Sequence, residues 1–242
     1  MRLFPEVKKR IGPYMRSKGF KIHNRRYYYI KNDIAFCICF EQPTGLLYTW
    51  AHINPLYIPQ EVVYLTYGNR INNMADINLP LLTISDCDPA TIDTWCEMLC
   101  HCIDDYILPY FNQIDTPEKL LSYVEGVALV QQDSHTGRMR RDTLQLQKLR
   151  AYTYLYLHDF ENASCAAECY RQEIEETSDC FSDPILENWL SNAEMVQQLV
   201  SKGNDAVTHF CHQTIAQTQK LFQPKRKTRG ENSTGDANIL RQ

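Results

Sequence analysis

Three cysteines and a histidine lie within seven residues of this chain, at Cys96, Cys100, His101 and Cys102. Thiolates and imidazoles at close spacing are the usual ligands of zinc, and a Cys-x-x-Cys-His run attaches c-type haem. The run here is Cys-x-x-x-Cys-His, which departs from the haem pattern. On a helix, His101 lies about 100° from its neighbour and points to the polar side. One helix therefore cannot direct all four groups at a single ion, and we predict neither a metal site nor a cofactor.

The residues around these cysteines have the period of a helix that packs on a core. Asp88-Pro89 is a typical helix start, with Asp at the N-cap and Pro in the first turn. Apolar residues then recur at steps of three and four: Ile92, Trp95, Cys96, Leu99, Ile103, Tyr106, Ile107 and Tyr110. We interpret the cysteines as small apolar residues of this helix rather than as ligands.

The amino-terminal part changes from helical to strand periodicity after Gly19. Residues 4–18 predict a helix, which Gly12-Pro13 should kink or delay. Residues 20–30 and 34–40 are rich in aromatic and β-branched residues and are joined by the turn-forming Asn32-Asp33, which predicts an antiparallel hairpin. Both faces of the second strand are apolar, so we expect this strand to be central and covered on both sides.

Further strands are predicted over residues 46–53, over residues 61–67 and near residues 79–84. Gly68-Asn69 is interpreted as the stop of the second of these strands. Another helix start is predicted at residues 115–118, where Asp115-Thr-Pro-Glu resembles a cap.

Beyond about residue 140 the sequence has helical periodicity throughout. Breaks at His158-Asp159 and Gly203 divide it into two helical hairpins. The first hairpin resembles a tetratricopeptide repeat at Ala151, Tyr154 and the run His158-Asp-Phe-Glu-Asn-Ala163, although Gln147 departs from the repeat pattern. The resemblance implies a surface for protein binding or packing.

The sequence therefore predicts an α+β protein. An antiparallel sheet of about 4–5 strands flanked by helices is expected over residues 1–125, and an all-helical region of αα-hairpins over residues 126–222. Residues 223–242 are polar and basic and are predicted to form a disordered tail.

Composition and charge limit the classes of function. The chain has 242 residues, 44% hydrophobic, with a net charge of −4 and ten cysteines. It has no run of eighteen apolar residues and no apolar signal core near its start, so we expect no membrane partner, a cytoplasmic location and unpaired thiols. Residues 1–31 hold ten basic side chains against Glu6, whereas residues 32–116 hold Arg70 against eleven acids. These opposite charges either pair within one fold or leave an anion-binding face.

Short motifs in the first half resemble a bacterial family. They are Gly19-Phe-Lys, Arg25-x-Tyr-x-Tyr, Asp33-Ile-x-x-x-Ile-x-Phe-Glu-Gln42 and Leu108-Pro-Tyr-Phe111. Over residues 3 to about 125 the chain resembles the bacterial domain-of-unknown-function family numbered 4304, although residues 54–78 follow no part of that pattern. The resemblance implies an intracellular α+β domain, sometimes encoded among toxin-immunity or defence genes. It implies no activity and no functional residues.

The sequence contains no nucleophile elbow, phosphate loop, dinucleotide fingerprint or zinc-protease motif, and we identify no catalytic residues. The candidate binding surface is the basic, aromatic hairpin, which comprises Lys21, His23, Arg25, Arg26, Tyr27 and Tyr29. Arginine and tyrosine dominate protein interfaces and also bind single-stranded nucleic acid. Alternatively, the tyrosines pack on the sheet and the arginines pair with acidic residues.

Three functions remain open. The first is a non-enzymatic protein-interaction protein with a protein partner, associated with toxin immunity or defence. The second is nucleic-acid binding through residues 1–31. The third is an enzyme whose site is assembled from distant residues and leaves no local motif.

Overall fold

A computed structural model describes residues 3–63, 67–73, 77, 79–86, 88–131 and 137–223. The strands form one antiparallel sheet in the order β1-β2-β3-β4-β5, and β6 pairs with β4. The strands are β1 (Lys21–His23), β2 (Arg26–Lys31), β3 (Ile34–Glu41), β4 (Leu46–Pro55), β5 (Tyr67–Arg70) and β6 (Leu82–Thr83). The helices are α1 (Leu3–Ser17), α2 (Pro89–Cys102), α3 (Leu108–Gln113), α4 (Pro117–Gln131), α5 (Gly137–Tyr156), α6 (Phe160–Glu176), α7 (Asp183–Lys202) and α8 (Asn204–Lys220). The predicted α+β class, with αα-hairpins in the carboxyl half, is confirmed.

Strand β3 is the centre of the sheet, as its two apolar faces predict. It pairs with β2 on one side and β4 on the other, and every residue from Ile34 to Phe40 is buried. The β2–β3 turn is formed by Asn32 and Asp33, whose φ angles of 49° and 57° are both positive. Two central residues with positive φ match the twist of a two-residue hairpin, and Asn and Asp adopt this conformation at low cost.

The first face of the sheet carries Tyr27, Tyr29, Phe36, Ile38 and Phe40 and is covered by helices α1, α2 and α3. Two ring contacts fix α1 and α3 to it. The ring of Phe4 in α1 lies 5.4 Å from that of Phe40, and the ring of Phe111 in α3 lies 5.1 Å from that of Phe36. Offset and tilted rings at these distances contribute beyond the area that they bury.

The second face of the sheet carries Arg26, Tyr28, Cys37, Cys39, Trp50 and His52. The chain following α8 covers part of it. Phe222 is buried against Tyr28, with ring centroids 5.1 Å apart, and the Tyr28 hydroxyl donates a 2.7 Å hydrogen bond to the Phe222 carbonyl. The carboxyl end of the helical part is thereby tied to the sheet, 194 residues away in sequence.

Helices α5 to α8 form the two predicted hairpins. The corner between α5 and α6 is made by His158, with a φ of 60°, and by Asp159, whose carboxylate accepts from the Asn162 amide at 3.2 Å as the N-cap of α6. Gly203, with a φ of 82°, makes the corner between α7 and α8. A glycine suits this left-handed conformation because it has no Cβ.

The sheet and the hairpins share one hydrophobic core. Tyr57, just after β4, stacks on Tyr156 of α5 with centroids 4.3 Å apart, and its hydroxyl lies 3.1 Å from Thr153 Oγ1. Helix α4 runs through the predicted boundary between residues 125 and 126. The division into two domains stays a prediction, and the predicted tail beyond residue 223 lies outside the described residues.

The cysteine-rich helix packs as the sequence predicts, up to its last turns. Cys96 and Cys102 are buried in the main core, whereas the His101 side chain is exposed. Residues 103–107 then form a π-helical segment, which shifts the phase of the turns that follow. As a result Tyr106, predicted to face the core, is 40% exposed, and Phe111 is buried instead.

Three local predictions are wrong. The segment 20–30 is two strands, because Asn24 takes a φ of 55° and reverses the chain between β1 and β2. Helix α1 begins at Leu3 and continues through Pro13, so the late start that was predicted as the alternative to a kink is wrong. Gly68-Asn69 lies inside a strand rather than ending one, and residues 61–63 are irregular.

Gly68 lies where the backbones of β4 and β5 approach each other closely. A Cβ on Gly68 would lie 2.2 Å from the Ala51 carbonyl oxygen, so this strand glycine marks a backbone contact that no side chain fits. We expect Gly68→Ala to lower the free energy of unfolding by about 3 kcal/mol, at the upper end for overpacking, in urea denaturation. The control is Gly126→Ala in α4, where a Cβ meets nothing within 4 Å. That change should stabilise by about 0.5–1 kcal/mol, and equal effects of the two substitutions would contradict the close approach.

Candidate interaction surface

The register of the sheet places five side chains in one row across its second face. His23 pairs with Arg26, Arg26 with Cys39, Cys39 with Trp50, and Trp50 with Arg70. Residues directly opposite each other in antiparallel strands project to the same face. We call His23, Arg26, Cys39, Trp50 and Arg70 the cross-strand row.

Arg70 is held in the row by aromatic rings. Its guanidinium carbon lies 4.1 Å from the ring centroid of Tyr48 and 5.0 Å from that of Trp50. The Trp50 indole N–H in turn donates a 2.9 Å hydrogen bond to Glu41 Oε2. Stacking of this kind fixes the direction of a guanidinium without neutralising its charge. The Nε of Arg70 is buried and has no hydrogen-bond partner among the described residues.

Arg26 is held at the other end by weak acceptors. Its Nε donates to Cys39 Sγ at 3.1 Å, and one terminal nitrogen lies 3.5 Å from the Val63 carbonyl oxygen. In the described part of the chain, no carboxylate lies within 4 Å of Arg26 or Arg70. Arg10, by contrast, forms ion pairs with both Glu6 and Asp93. The cross-strand row therefore carries two oriented cations whose charge is not neutralised within the described structure.

Other basic residues of the amino end do pair with the acidic middle of the chain. Lys18 Nζ lies 2.6 Å from Asp104, and Lys31 Nζ lies 2.5 Å from Asp115. Lys119 and Lys31 hold the pKa of the Asp115 carboxyl down to about 2. The opposite charges of the two segments are thus partly complementary within one fold, and the arginines of the cross-strand row are not part of that pairing.

The six residues predicted as a binding surface lie in different places. His23 and Arg26 belong to the cross-strand row. Lys21 is exposed on the same face, and Arg25 is exposed in the β1–β2 turn. Tyr27 is 2% exposed in the main core, and Tyr29 stacks on Phe36 with centroids 5.1 Å apart, so both tyrosines face away from the row.

The other aromatic and basic residues at the cross-strand row were not predicted from the sequence. Trp50, Tyr48 and Arg70 have no local motif, and they reach Arg26 only through the pairing of four strands. The sequence could have shown that Arg26 and Tyr27 point to opposite faces of the sheet, because neighbouring residues of one strand alternate between the two faces.

A buried cysteine–histidine pair lies beside the row. Cys37 is directly opposite His52, and both residues are fully buried. Burial raises the pKa of the Cys37 thiol well above its ordinary value. Burial, with a smaller effect of Arg26, lowers the pKa of His52 to about 3. Both groups are therefore neutral near pH 7, and they do not form the thiolate–imidazolium pair of a cysteine nucleophile.

The His52 imidazole is a buried polar group. Neither ring nitrogen has a hydrogen-bond partner among the described residues. Such groups carry a desolvation cost. Arg26, as a nearby cation, adds to the cost of protonating His52.

The described residues contain no group of three or more His, Cys, Asp or Glu side chains positioned to hold a metal ion. Among the helices of that same part of the chain, none has the length and apolar character needed to cross a membrane.

The chain matches no protein-family model, no curated protein and no solved structure.

The buried neutral His52 makes stability depend on pH. The unfolded chain protonates His52 near the ordinary pKa of 6.5, whereas the folded chain resists protonation down to about pH 3. The unfolded state therefore binds more protons between these values, and the stability due to this residue falls as pH falls. We expect about 2 kcal/mol of loss between pH 7 and pH 5, measured by urea denaturation.

The His52→Gln variant should lack this part of the pH dependence, whatever its absolute stability. His209→Gln changes an exposed histidine of α8 and should retain it. Superimposable pH profiles for the wild-type chain and His52→Gln would show that His52 is not held neutral in the fold.

Proposed function

We propose that this chain is a non-enzymatic protein-interaction protein that binds its partner on the second face of the sheet. The observation that carries the proposal is the cross-strand row, in which Arg26 and Arg70 lack carboxylate partners among the described residues and lie on either side of Cys39 and Trp50. Tryptophan, tyrosine and arginine are the residue types that contribute most binding energy at protein interfaces.

The geometry of the row favours binding without much loss of side-chain freedom. Arg70 is already fixed on Tyr48 and Trp50, and Trp50 is fixed by its hydrogen bond to Glu41. A side chain that is ordered before binding loses less entropy on association, so more of the contact energy appears as affinity. Tyr48 and Trp50 are half-buried, so the parts of these rings that Arg70 leaves uncovered are accessible to a partner.

The setting of this interaction is also a proposal. Cys37, Cys96, Cys102 and Cys211 are buried thiols that form no disulfide within the described residues, which supports a reducing, cytoplasmic environment. The resemblance of residues 3 to about 125 to the family numbered 4304 stays a prediction. It implies a role in toxin immunity or defence, in which the partner would be a protein encoded nearby.

Affinity capture with matched variants tests the proposed surface. The double variant Arg26→Gln/Arg70→Gln removes both cations of the cross-strand row, and Lys8→Gln/Lys9→Gln removes the same charge from the exposed side of α1. We expect proteins captured by the wild-type chain, quantified by mass spectrometry, to fall more than tenfold with the arginine variant, because two interface arginines each contribute about 1 kcal/mol or more.

The lysine variant should capture the same proteins as the wild-type chain. Capture that is equal for the wild-type chain and the arginine variant would contradict the proposed surface. Circular dichroism and urea denaturation of each variant check that the fold is retained.

Single-stranded nucleic acid is the second candidate ligand of the same face. Its support is the proximity of Trp50 and Tyr48 to two cations, since bases stack on aromatic rings while phosphates bind cations. A protein partner is favoured because the Arg70 guanidinium already lies over both rings, where a base would stack.

Fluorescence anisotropy with a labelled oligothymidylate separates the two ligands. Charge-driven binding should weaken steeply as salt rises, because bound counterions are released. We expect only weak binding at low salt. Tight binding that is lost in Arg26→Gln/Arg70→Gln would favour nucleic acid over protein.

A further inference from the structure

Strand β1 is an outer strand of the sheet, at the end where the cross-strand row begins. It pairs with β2 on one side, and its last residue, His23, is the first residue of the row. Lys21 and Ile22 are exposed. Within the described part of the chain, no other element forms a backbone hydrogen bond to Ile22. An outer strand of this kind can pair with one further strand, which a partner protein would supply.

The β1–β2 hairpin fixes the direction of the Ile22 backbone groups. Two residues separate His23 from Arg26, so this closing pair exchanges both of its backbone hydrogen bonds. Bonded and non-bonded pairs then alternate along the ladder, and Ile22 with Tyr27 is a non-bonded pair. The N–H and C=O of Ile22 therefore point away from β2, to the open side of β1.

The β2–β3 turn gives the same phase. Its closing pair is Lys31 and Ile34, and every second pair from there is hydrogen-bonded, which includes Tyr27 with Ile38. The backbone groups of Tyr27 are thus used by β3. Ile22 keeps one donor and one acceptor, which is the set that a single residue of an added antiparallel strand uses.

The side chains along β1 indicate the chemistry of such a strand. Ile22, opposite Tyr27, projects to the first face and is 38% exposed, so it offers uncovered apolar surface. Lys21 and His23 project to the second face. Lys21 and the exposed Arg25 of the turn form no ion pair within the described residues. A strand beside β1 therefore meets basic groups on one face and an apolar side chain on the other.

A second copy of this chain does not suit the open side of β1. Antiparallel self-pairing centred on Ile22 would place Lys21 beside His23 and Arg25 across the two-fold axis, and this segment supplies no acid to balance them. Like charges on neighbouring strands destabilise a sheet. A short outer strand that carries lysine also resists unspecific pairing. The occupant must therefore bring carboxylates, which points to an acidic segment of another protein.

We propose that an extended acidic segment of the partner protein adds to the sheet as an antiparallel strand beside β1, with an apolar residue opposite Ile22 and an acidic residue on each side of it. This inference depends on the proposed function, because it describes how the partner reaches the second face. The apolar residue exchanges both backbone hydrogen bonds with Ile22. The two carboxylates lie on the second face, opposite Lys21 and His23, and one of them extends the cross-strand row. The antiparallel direction follows the rest of the sheet, in which every pair is antiparallel.

Backbone-modified peptides test the strand pairing by NMR titration of the isotope-labelled protein. The first peptide carries glutamate, valine and glutamate in a serine and threonine background. The second adds an N-methyl group to the valine, which removes the donor that the Ile22 carbonyl accepts. The third adds it to the following glutamate, whose N–H faces away from β1. We expect the second peptide to bind about tenfold more weakly than the first, because it loses a backbone hydrogen bond. The third should bind like the first.

Protein variants supply the second arm. Ile22→Pro removes the N–H that points to the added strand, and the fold should tolerate it because proline occurs in outer strands where the N–H faces solvent. Lys21→Glu reverses an exposed charge. Each variant should weaken the first peptide about tenfold or more, whereas Lys8→Gln/Lys9→Gln should bind it like the wild-type chain. In the wild-type complex, hydrogen exchange of the Ile22 amide should slow by a similar factor.

Equal binding of the first two peptides, unchanged exchange of the Ile22 amide, or no binding of any peptide would overturn the added strand. If the captured proteins still depend on Arg26 and Arg70 in that case, the proposed function stands without this inference. If the first peptide binds through the Ile22 N–H while capture does not depend on the two arginines, the added strand is supported and the cross-strand row is not the surface that the partner uses.

Discussion

The pairing register of β3 with its two neighbours is the constraint on which the rest of the molecule depends. Ile34 is opposite Lys31 of β2 and Pro55 of β4, and the pairing continues without a break to Cys39 on the β2 side and to Glu41 on the β4 side. A shift of one residue would exchange the faces of every side chain in the strand. Because β3 is buried on both sides, such a shift would place Phe36 and Ile38 on the face that now holds Cys37 and Cys39.

The register also gives the two faces of the sheet different surroundings. Its first face is closed by aromatic packing between Phe36, Phe40 and the helices, which stabilises the fold. Its second face is closed at one end by Phe222 and remains half-exposed at the other, where the cross-strand row lies. Arg26 influences both parts of this face. Its charge contributes to the low pKa of His52, although burial has the larger effect, and its Nε contacts the Cys39 sulfur.

The fold could be predicted further than the surface, and the reason is the range of the interactions. Apolar periodicity identified β3 as the central strand, the cysteine-rich helix as one that packs on the core, and the two helical hairpins. Each of these signals lies within about twenty residues of sequence. Tyr106 was misplaced because a π-helical segment changes the phase, and the 20–30 strand because one asparagine takes a positive φ.

The cross-strand row depends on four pairings at once, between segments up to 47 residues apart from His23 to Arg70. Two of the segments were misassigned: the β1–β2 turn was not recognised, and β5 was placed too early, with Gly68 read as a stop. Even a correct set of strands leaves the register open when the turns between them are unknown. The period of two does separate Arg26 from Tyr27, so the predicted hairpin surface mixed residues of two faces.

The composition of the second face is not explained by stability alone. Exposed ion pairs contribute little to folding, typically up to about 1 kcal/mol, yet this chain forms them for Arg10, Lys18 and Arg171. Arg26 and Arg70 instead contact a sulfur, a carbonyl and two rings, which orient a guanidinium while leaving its charge available. On a chain with a net charge of −4, two such cations beside a half-buried tryptophan form a local exception to the overall charge. These contacts are the physical basis of our proposal that a partner protein binds this face.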